Sequence, residues 1–270
     1  MDLLSSVLRR PVAEDDKYSR GVVGFVTGST DFPGAAILGV TAAIRTGVGM
    51  VRWVGPEYVG HMLLEVRPEV VLQPGRTQVW VVGSGVSGAL GSEQASNISA
   101  ALAEPGFAVI DAGALELVDY SRLAVNAVLT PHAGEAERLL NRLGYKITRA
   151  EVEENPISAA KEISRLTGQT VLLKGNVTTI ADKLGHVRQT PPANPALATA
   201  GSGDVLAGIL GALIASNNEK LVSGLFTLAD IAYAAAVLHA EAGALAAMDG
   251  PVAALDIAEA MRTVVGDRLA

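Results

Sequence analysis

The sequence predicts an α/β fold, in which buried strands alternate with helices packed over a sheet. Short runs rich in valine and isoleucine alternate with helical segments along the chain, and most of the strand-like runs end on glycine. The 270 residues are 49% hydrophobic but only 4% aromatic and include 29 glycines, so the core is expected to close through small side chains. No long polar linker breaks the alternation, which predicts a single domain over residues 1–270.

GVVGFVTGS, residues 21–29, reads as the first buried strand, closing on Gly28. Pro33 and Gly34 then open a helix over residues 35–45, and Gly47 and Gly49 lead into a strand at 50–54, completing a βαβ unit. The small residues Gly34, Ala35 and Ala36 suit either tight helix-on-sheet packing or a ligand close to the backbone. A third strand at 78–82 ends in GSGVSG, residues 83–88, before a helix expected at 89–102. That hexapeptide matches G-x-G-x-x-G, and Asp111 closes the next strand, so a dinucleotide-binding fingerprint is a rival to a plain glycine turn.

Residues 127–140 read as a strand, a turn holding Pro131 and His132, and a helix whose first turn carries Glu135 and Glu137. His132, at a strand's carboxyl end, suits a ligand crevice or a structural role, and Glu135 suits the helix start. A polar helix at 157–166 leads to a buried strand at 171–173 ended by Lys174 and Gly175, and a further strand follows at 178–181. Lys174 there could reach phosphate oxygens or be a solvated lysine at a hairpin. Pro191, Pro192 and Pro195 stiffen the loop that follows. Apolar helices at about 225–248 and 256–265 close the chain, with Asp256 as an N-cap and His239 as a packed core residue.

Residues 194–215, NPALATAGSGDVLAGILGALIA, concentrate the chemistry. Gly201, Ser202 and Gly203 form a turn whose N–H groups can converge on an anion, and from Asp204 onward the run is a buried helix. Asp204 is the one ionisable residue between Arg188 and Glu219. It could take a proton from a hydroxyl facing that anion hole, or it could simply cap the helix.

Composition excludes several classes. A formal charge of -7 argues against a general nucleic-acid surface, and the absence of cysteine removes disulfides and thiolate metal sites. The N-terminal apolar run is too short for a signal peptide, and His239 and Glu241 interrupt the alanine-rich stretch at 231–248, which reads as a core helix rather than a membrane span. A soluble, cytoplasmic protein is expected. Neither G-x-x-x-x-G-K-[ST], H-E-x-x-H nor G-x-S-x-G occurs, so P-loop, zincin and serine-hydrolase chemistry drop out.

Seven motifs in order, PGAA (33–36), RTGVGMV (45–51), GSG (83–85), DAGAL (111–115), TPHAGE (130–135), KGN (174–176) and NPALATAGSGDVLAG (194–208), resemble the NAD(P)H-hydrate dehydratase family. The resemblance spans residue 17 to the C-terminus and implies a ribokinase-like three-layer α/β/α sandwich with a mostly parallel central sheet. It implies repair of the S form of hydrated NADH or NADPH (NADHX or NADPHX), using ADP, as bacterial members generally do, or ATP, with Mg²⁺ shielding charge. Asp204 would be the catalytic base, and Gly201, Ser202 and Gly203 would hold the transferring phosphoryl group. Lys174, Gly175, Asn176, Val177 and Thr178, with Gly203, match the nucleotide-binding segment. Ala36, Gly85 and His132, with Asp204, match positions that hold the hydrated dinucleotide. No protein metal ligand is implied.

The chain departs from the family's G-P-G-L-G at 83–87, P-H-P-G-E at 131–135 and G-G-T-G-D at 200–204; it keeps Gly83, Gly85, Gly134, Gly201 and Gly203 and, at Ser202, the hydroxyl, while Ser87 and Ala200 stand where the family has glycine. Many relatives carry an N-terminal epimerase domain absent from this sequence, so a separate epimerase is the expected functional partner, and relatives suggest a homo-oligomer, commonly a tetramer. The rivals are an ATP-dependent small-alcohol kinase of the same fold, a non-catalytic nucleotide sensor and a dehydrogenase binding NAD at 83–88. TPHAGE together with NPALATAGSGD favours the dehydratase over the kinase, and the intact Asp204 argues against the sensor.

Overall fold

The computed structural model describes residues 2–87 and 92–270. Gly88, the last glycine of the hexapeptide, and Ala89, where the next helix was expected to start, lie outside the described residues. Eight strands form one sheet: β1 (Val22–Val26), β2 (Met50–Trp53), β3 (Val79–Val82), β4 (Phe107–Ile110), β5 (Asn126–Leu129), β6 (Thr170–Leu173), β7 (Thr179–Ala181) and β8 (Val187–Gln189). Their order is β2-β1-β3-β4-β5-β6-β7-β8. Pairing is parallel from β2 through β6, and β7 and β8 return antiparallel.

Side chains of the central strands alternate between two cores, as a period of two requires. Val109, Val128 and Leu172 face one core with the helices Gly34–Thr46, Ser202–Ser216, Leu228–Ala246 and Ala254–Leu269. Ile110, Leu129, Val171 and Leu173 face the other, with Glu93–Ala101, Ala133–Arg142 and Pro156–Thr167. Burial on both faces explains why these strands read as continuous apolar runs. This is the three-layer, mostly parallel sandwich expected from the sequence.

The apolar helix Ser202–Ser216 lies directly on Gly34–Thr46, and Gly208 meets Gly39 at the crossing. A Cβ on Gly208 would sit 2.1 Å from the Gly39 carbonyl oxygen. Because backbone cannot swing aside, Gly208→Ala is expected to cost about 1–3 kcal/mol. A urea titration should show the midpoint falling with the slope unchanged. Leu228–Ala246 is apolar and long enough to cross a membrane by composition, but half of its most apolar window is buried inside the protein.

The helix Glu57–Val66 and strand β8 add to the expected elements. β8 is an exposed edge strand reading Val187, Arg188 and Gln189, so no apolar alternation marks it. Asp256 is not the N-cap. Ala254–Leu269 is capped at Ala253, and the Asp256 carboxylate reaches back to accept from the Ala253 N–H at 2.8 Å. The helix after β3 runs Glu93–Ala101 from an N-cap at Ser92.

Candidate active site

Parallel strands present their carboxyl ends on one edge of the sheet, and there the order reverses between β1 and β3, where an open α/β sheet leaves a crevice. Residues just beyond four neighbouring strands meet on Asp111, which follows β4. Ser84, beyond β3, donates to Asp111 Oδ2 at 2.8 Å, and Thr130, beyond β5, donates to Oδ1 at 2.7 Å. Lys174, beyond β6, places Nζ 2.8 Å from Oδ1 and 3.7 Å from Glu135 Oε2. Burial works to raise the Asp111 carboxyl, but Lys174 and these hydrogen bonds outweigh it and hold the group below its ordinary range. Burial likewise works to lower Lys174, yet Asp111 and Glu135 hold the ammonium above its usual value. Lys174 is therefore a half-buried, paired cation rather than a solvated hairpin lysine. Asp111 is equally committed, which removes the free acid that a dinucleotide fingerprint would need for a ribose.

His132 is the N-cap of Ala133–Arg142. Its Nδ1 accepts from the N–H groups of Gly134 at 3.0 Å and Glu135 at 3.2 Å, while the Glu135 carboxylate accepts from the His132 N–H at 2.8 Å. This reciprocal box fixes both side chains at the edge of the crevice. Burial pushes the His132 ring below its ordinary pKa, against the pull of Glu135 and with help from Lys174.

The helix expected from Asp204 begins two residues earlier, at Ser202, with Gly201 as N-cap in the left-handed region at φ 88°. The positive φ favours glycine there, while an added Cβ would lie 2.4 Å from Leu38 Cδ1, the end of a side chain that can shift. The N–H groups of Gly203 and Asp204 make no backbone hydrogen bond among the described residues, leaving the open donors that an anion needs. Asp204 stands third in the helix and makes no cap hydrogen bond, so it is not a cap. Burial, then the neighbouring charge of Asp111, raise its pKa to about 7, with Lys174 opposing and Glu135 adding.

A base with that pKa has a defined signature. Below pH 7 the carboxyl holds its proton and cannot accept another, so kcat/KM should fall about tenfold per pH unit and level off above neutrality. A pH–rate profile measures this, and the limb should vanish in Asp204→Asn.

A cavity of about 790 Å³ opens beside the helix start. Lys174, Gly175, Asn176, Thr178, Gly203 and His132 line it, with Ser202 and His239 on the same wall, whereas Val177 does not. Ala36 and Gly85 lie elsewhere, beyond β1 and β3. Gly85 packs closely on Ala35 and Gly28, and Ala36 is fully buried against Gly28 with its N–H bonded to the Pro33 carbonyl. Asp204 is not among the residues that line the cavity; an added Cβ on Gly39 would lie 3.3 Å from its backbone carbonyl oxygen, and one on the preceding Gly203 would lie 3.3 Å from Lys174 Nζ.

Several site residues escape motif reading. Asp111 closes a strand, Glu135 is a first-turn acid, Thr130 lies inside TPHAGE without an assigned role, and His239 looks like core. Their shared signal is position, a polar residue at or just past the end of an apolar strand, or one histidine in an alanine-rich helix.

Fold and site together define a class of protein: a ribokinase-like fold with unbonded N–H groups at a helix start and, beside them, a carboxyl whose pKa is raised to about 7. The family model for NAD(P)H-hydrate dehydratase matches residues 23–264, and the chain belongs to that family. The bifunctional NAD(P)H-hydrate repair enzyme Nnr of Mycobacterium tuberculosis is 41% identical over 218 residues, covering 76% of this chain and 43% of the relative. The chain thus spans under half the length of that relative. The ADP-dependent (S)-NAD(P)H-hydrate dehydratase of Neisseria meningitidis serogroup B is 33% identical, covering 79% of this chain and 77% of its own. Among solved structures, the ADP/ATP-dependent NAD(P)H-hydrate dehydratase of Bacillus subtilis, co-crystallised with ATP and Mg²⁺, superposes with a TM-score of 0.83 at 25% identity, covering 98% of this chain and 96% of that one.

Proposed function

We propose that this chain, working as one catalytic unit, restores NADH or NADPH from the S form of its hydrate, using ADP as phosphoryl donor. The observation that carries the reading is Asp204, a half-buried carboxylate with a pKa near neutrality beside unbonded N–H groups at a helix start. In the first step the ring hydroxyl of the hydrate attacks the terminal phosphoryl group of ADP. Asp204 accepts the hydroxyl proton, the new O–P bond forms, and the bond to AMP breaks. Lys174 and the N–H groups of Gly203 and Asp204 bear the charge on the transferring group. In the second step the C–O bond to phosphate breaks while the ring loses a neighbouring proton, and the double bond returns.

The nucleotide would be held by Lys174, Gly175, Asn176, Thr178 and Gly203, a reading supported by their lining of one cavity, with Val177 contributing backbone continuity. His132 and Gly85 face the dinucleotide, and Ala36 acts through small size, letting Gly28 and Gly85 close together. Among the described residues no three acidic or imidazole groups converge as a metal-ligand set. Mg²⁺ would be carried mainly by nucleotide phosphates, where it would neutralise charge on the phosphoryl oxygens. The bifunctional naming of the mycobacterial relative supports an epimerase as functional partner. A cytoplasmic homo-oligomer is the proposed working form.

The test is recovery of NADH absorbance from acid-hydrated NADH with Mg²⁺ and either ADP or ATP. Recovery that requires nucleotide and is faster with ADP supports the reading. No recovery with either nucleotide, from folded protein, overturns it and directs attention to small-alcohol kinase substrates.

A further inference from the structure

We infer that His239 is a positioning residue: its Nε2–H donates to the Ser202 hydroxyl oxygen and thereby turns the hydroxyl hydrogen toward the phosphate bound at the start of helix Ser202–Ser216. The inference rests on the nucleotide reading above and adds a residue to it. Ser202 Oγ and His239 Nε2 are 3.1 Å apart, although 37 residues separate them in the chain. Both residues are buried and both line the cavity. His239 projects from Leu228–Ala246, where Ala236 and Ala240 form the rest of that helix's cavity wall. A histidine buried in such a wall is unfavourable unless its ring nitrogens are bonded, and Ser202 is its one side-chain partner among the described residues.

Proton counting sets the direction of the bond. Phosphate oxygens accept, so a hydroxyl touching phosphate must give up its single hydrogen to it. The hydroxyl oxygen is then left to accept, and His239 is the donor in reach. Burial lowers the His239 pKa to about 4, opposed by hydrogen bonding to Ser202 and aided by Lys174; the ring nitrogen within hydrogen-bonding reach of Ser202 is Nε2, 3.1 Å from Oγ. The ring is therefore neutral at working pH and brings one N–H without adding charge. Ser202 in this way supplies a third donor beside the N–H groups of Gly203 and Asp204, held in one rotamer.

Four variants test this: Ser202→Ala, His239→Leu, His239→Gln and the double variant Ser202→Ala/His239→Leu. Circular dichroism confirms folding, calorimetry reads ADP affinity, and the recovery assay separates kcat from KM for ADP. Ser202→Ala is expected to lower kcat/KM for ADP by about 10- to 100-fold, and His239→Leu by most of that. His239→Gln, whose amide N–H can reach the same oxygen, should regain most of the loss, and the double variant should be no worse than Ser202→Ala. Multiplying losses in the double variant, or Gln as damaging as Leu, would overturn the inference. Wild-type protein that binds ADP without restoring NADH contradicts the dehydratase reading alone, and the same cycle read in ADP affinity still decides the role of His239. Wild-type protein that binds no ADP overturns both.

Discussion

Asp204→Asn is expected to lower kcat by about 10²- to 10⁴-fold, the contribution of a positioned general base, while ADP affinity stays near that of the parent. The separation follows from the geometry. Asparagine keeps the shape, and no protein hydrogen bond among the described residues depends on the carboxylate. The unbonded N–H groups at the helix start and Lys174, proposed to hold the phosphoryl group, are left in place by the substitution. Stability should move the other way. Asp204 sits in the fields of Asp111 and Glu135, and its raised pKa means that ionising it in the fold is unfavourable. Above pH 7 the variant sheds that ionised carboxylate, so its thermal midpoint should equal or exceed the parent's. Such a group, held where its charge is unfavourable, is what a strained functional site is expected to contain. A melting scan at pH 8 beside single-turnover kinetics would read both effects from one preparation.

Lys174→Met has the largest expected effect on stability. Asp111 is 2% exposed and its charge is balanced chiefly by this ammonium. Removing one member of a buried pair costs about 3–5 kcal/mol because the other charge is left without compensation, which corresponds to a fall in Tm on the order of 10 °C for a chain of this size. Adding Asp111→Asn should return part of the loss, since the stranded charge goes with it. The single variant should also push the Asp204 limb of the pH–rate profile upward, because Lys174 is the neighbour that opposes protonation there. Thermal melts and the pH profile of residual activity check the two effects. A Tm change of only a degree or two would mean that the pair is solvated and contributes little.

The parts of the site visible in the sequence are those coded locally. Gly201, Ser202, Gly203 and Asp204 stand out because a glycine turn followed by a long apolar run marks the start of a buried helix, whose open N–H groups suit an anion. Lys174-Gly175 at a strand end and His132 before a helix are similarly readable. The exact helix start was not, because glycine accepts both turn and helical geometry, and the cap proved to be Gly201. Asp111 shows the limit more sharply. Its partners Ser84, Thr130 and Lys174 lie 27, 19 and 63 residues away, and only the order of β3, β4, β5 and β6 brings them together. A dinucleotide fingerprint offered Asp111 a plausible local role that the tertiary pairing denies. His239 has the same explanation, since an alanine-rich helix gives no sign of which face meets Ser202. β8 escaped notice for a different reason: an exposed edge strand has little apolar pattern to read.

The most direct measurement of the central claim is product stoichiometry, with AMP, inorganic phosphate and NADH quantified together after ADP, Mg²⁺ and acid-hydrated NADH are mixed with the protein. Transient phosphorylation with Asp204 as base predicts one AMP and one phosphate for each NADH restored, and none of the three with Asp204→Asn. NADH restored without AMP, or AMP formed with a stable phosphorylated product and no NADH, would contradict it.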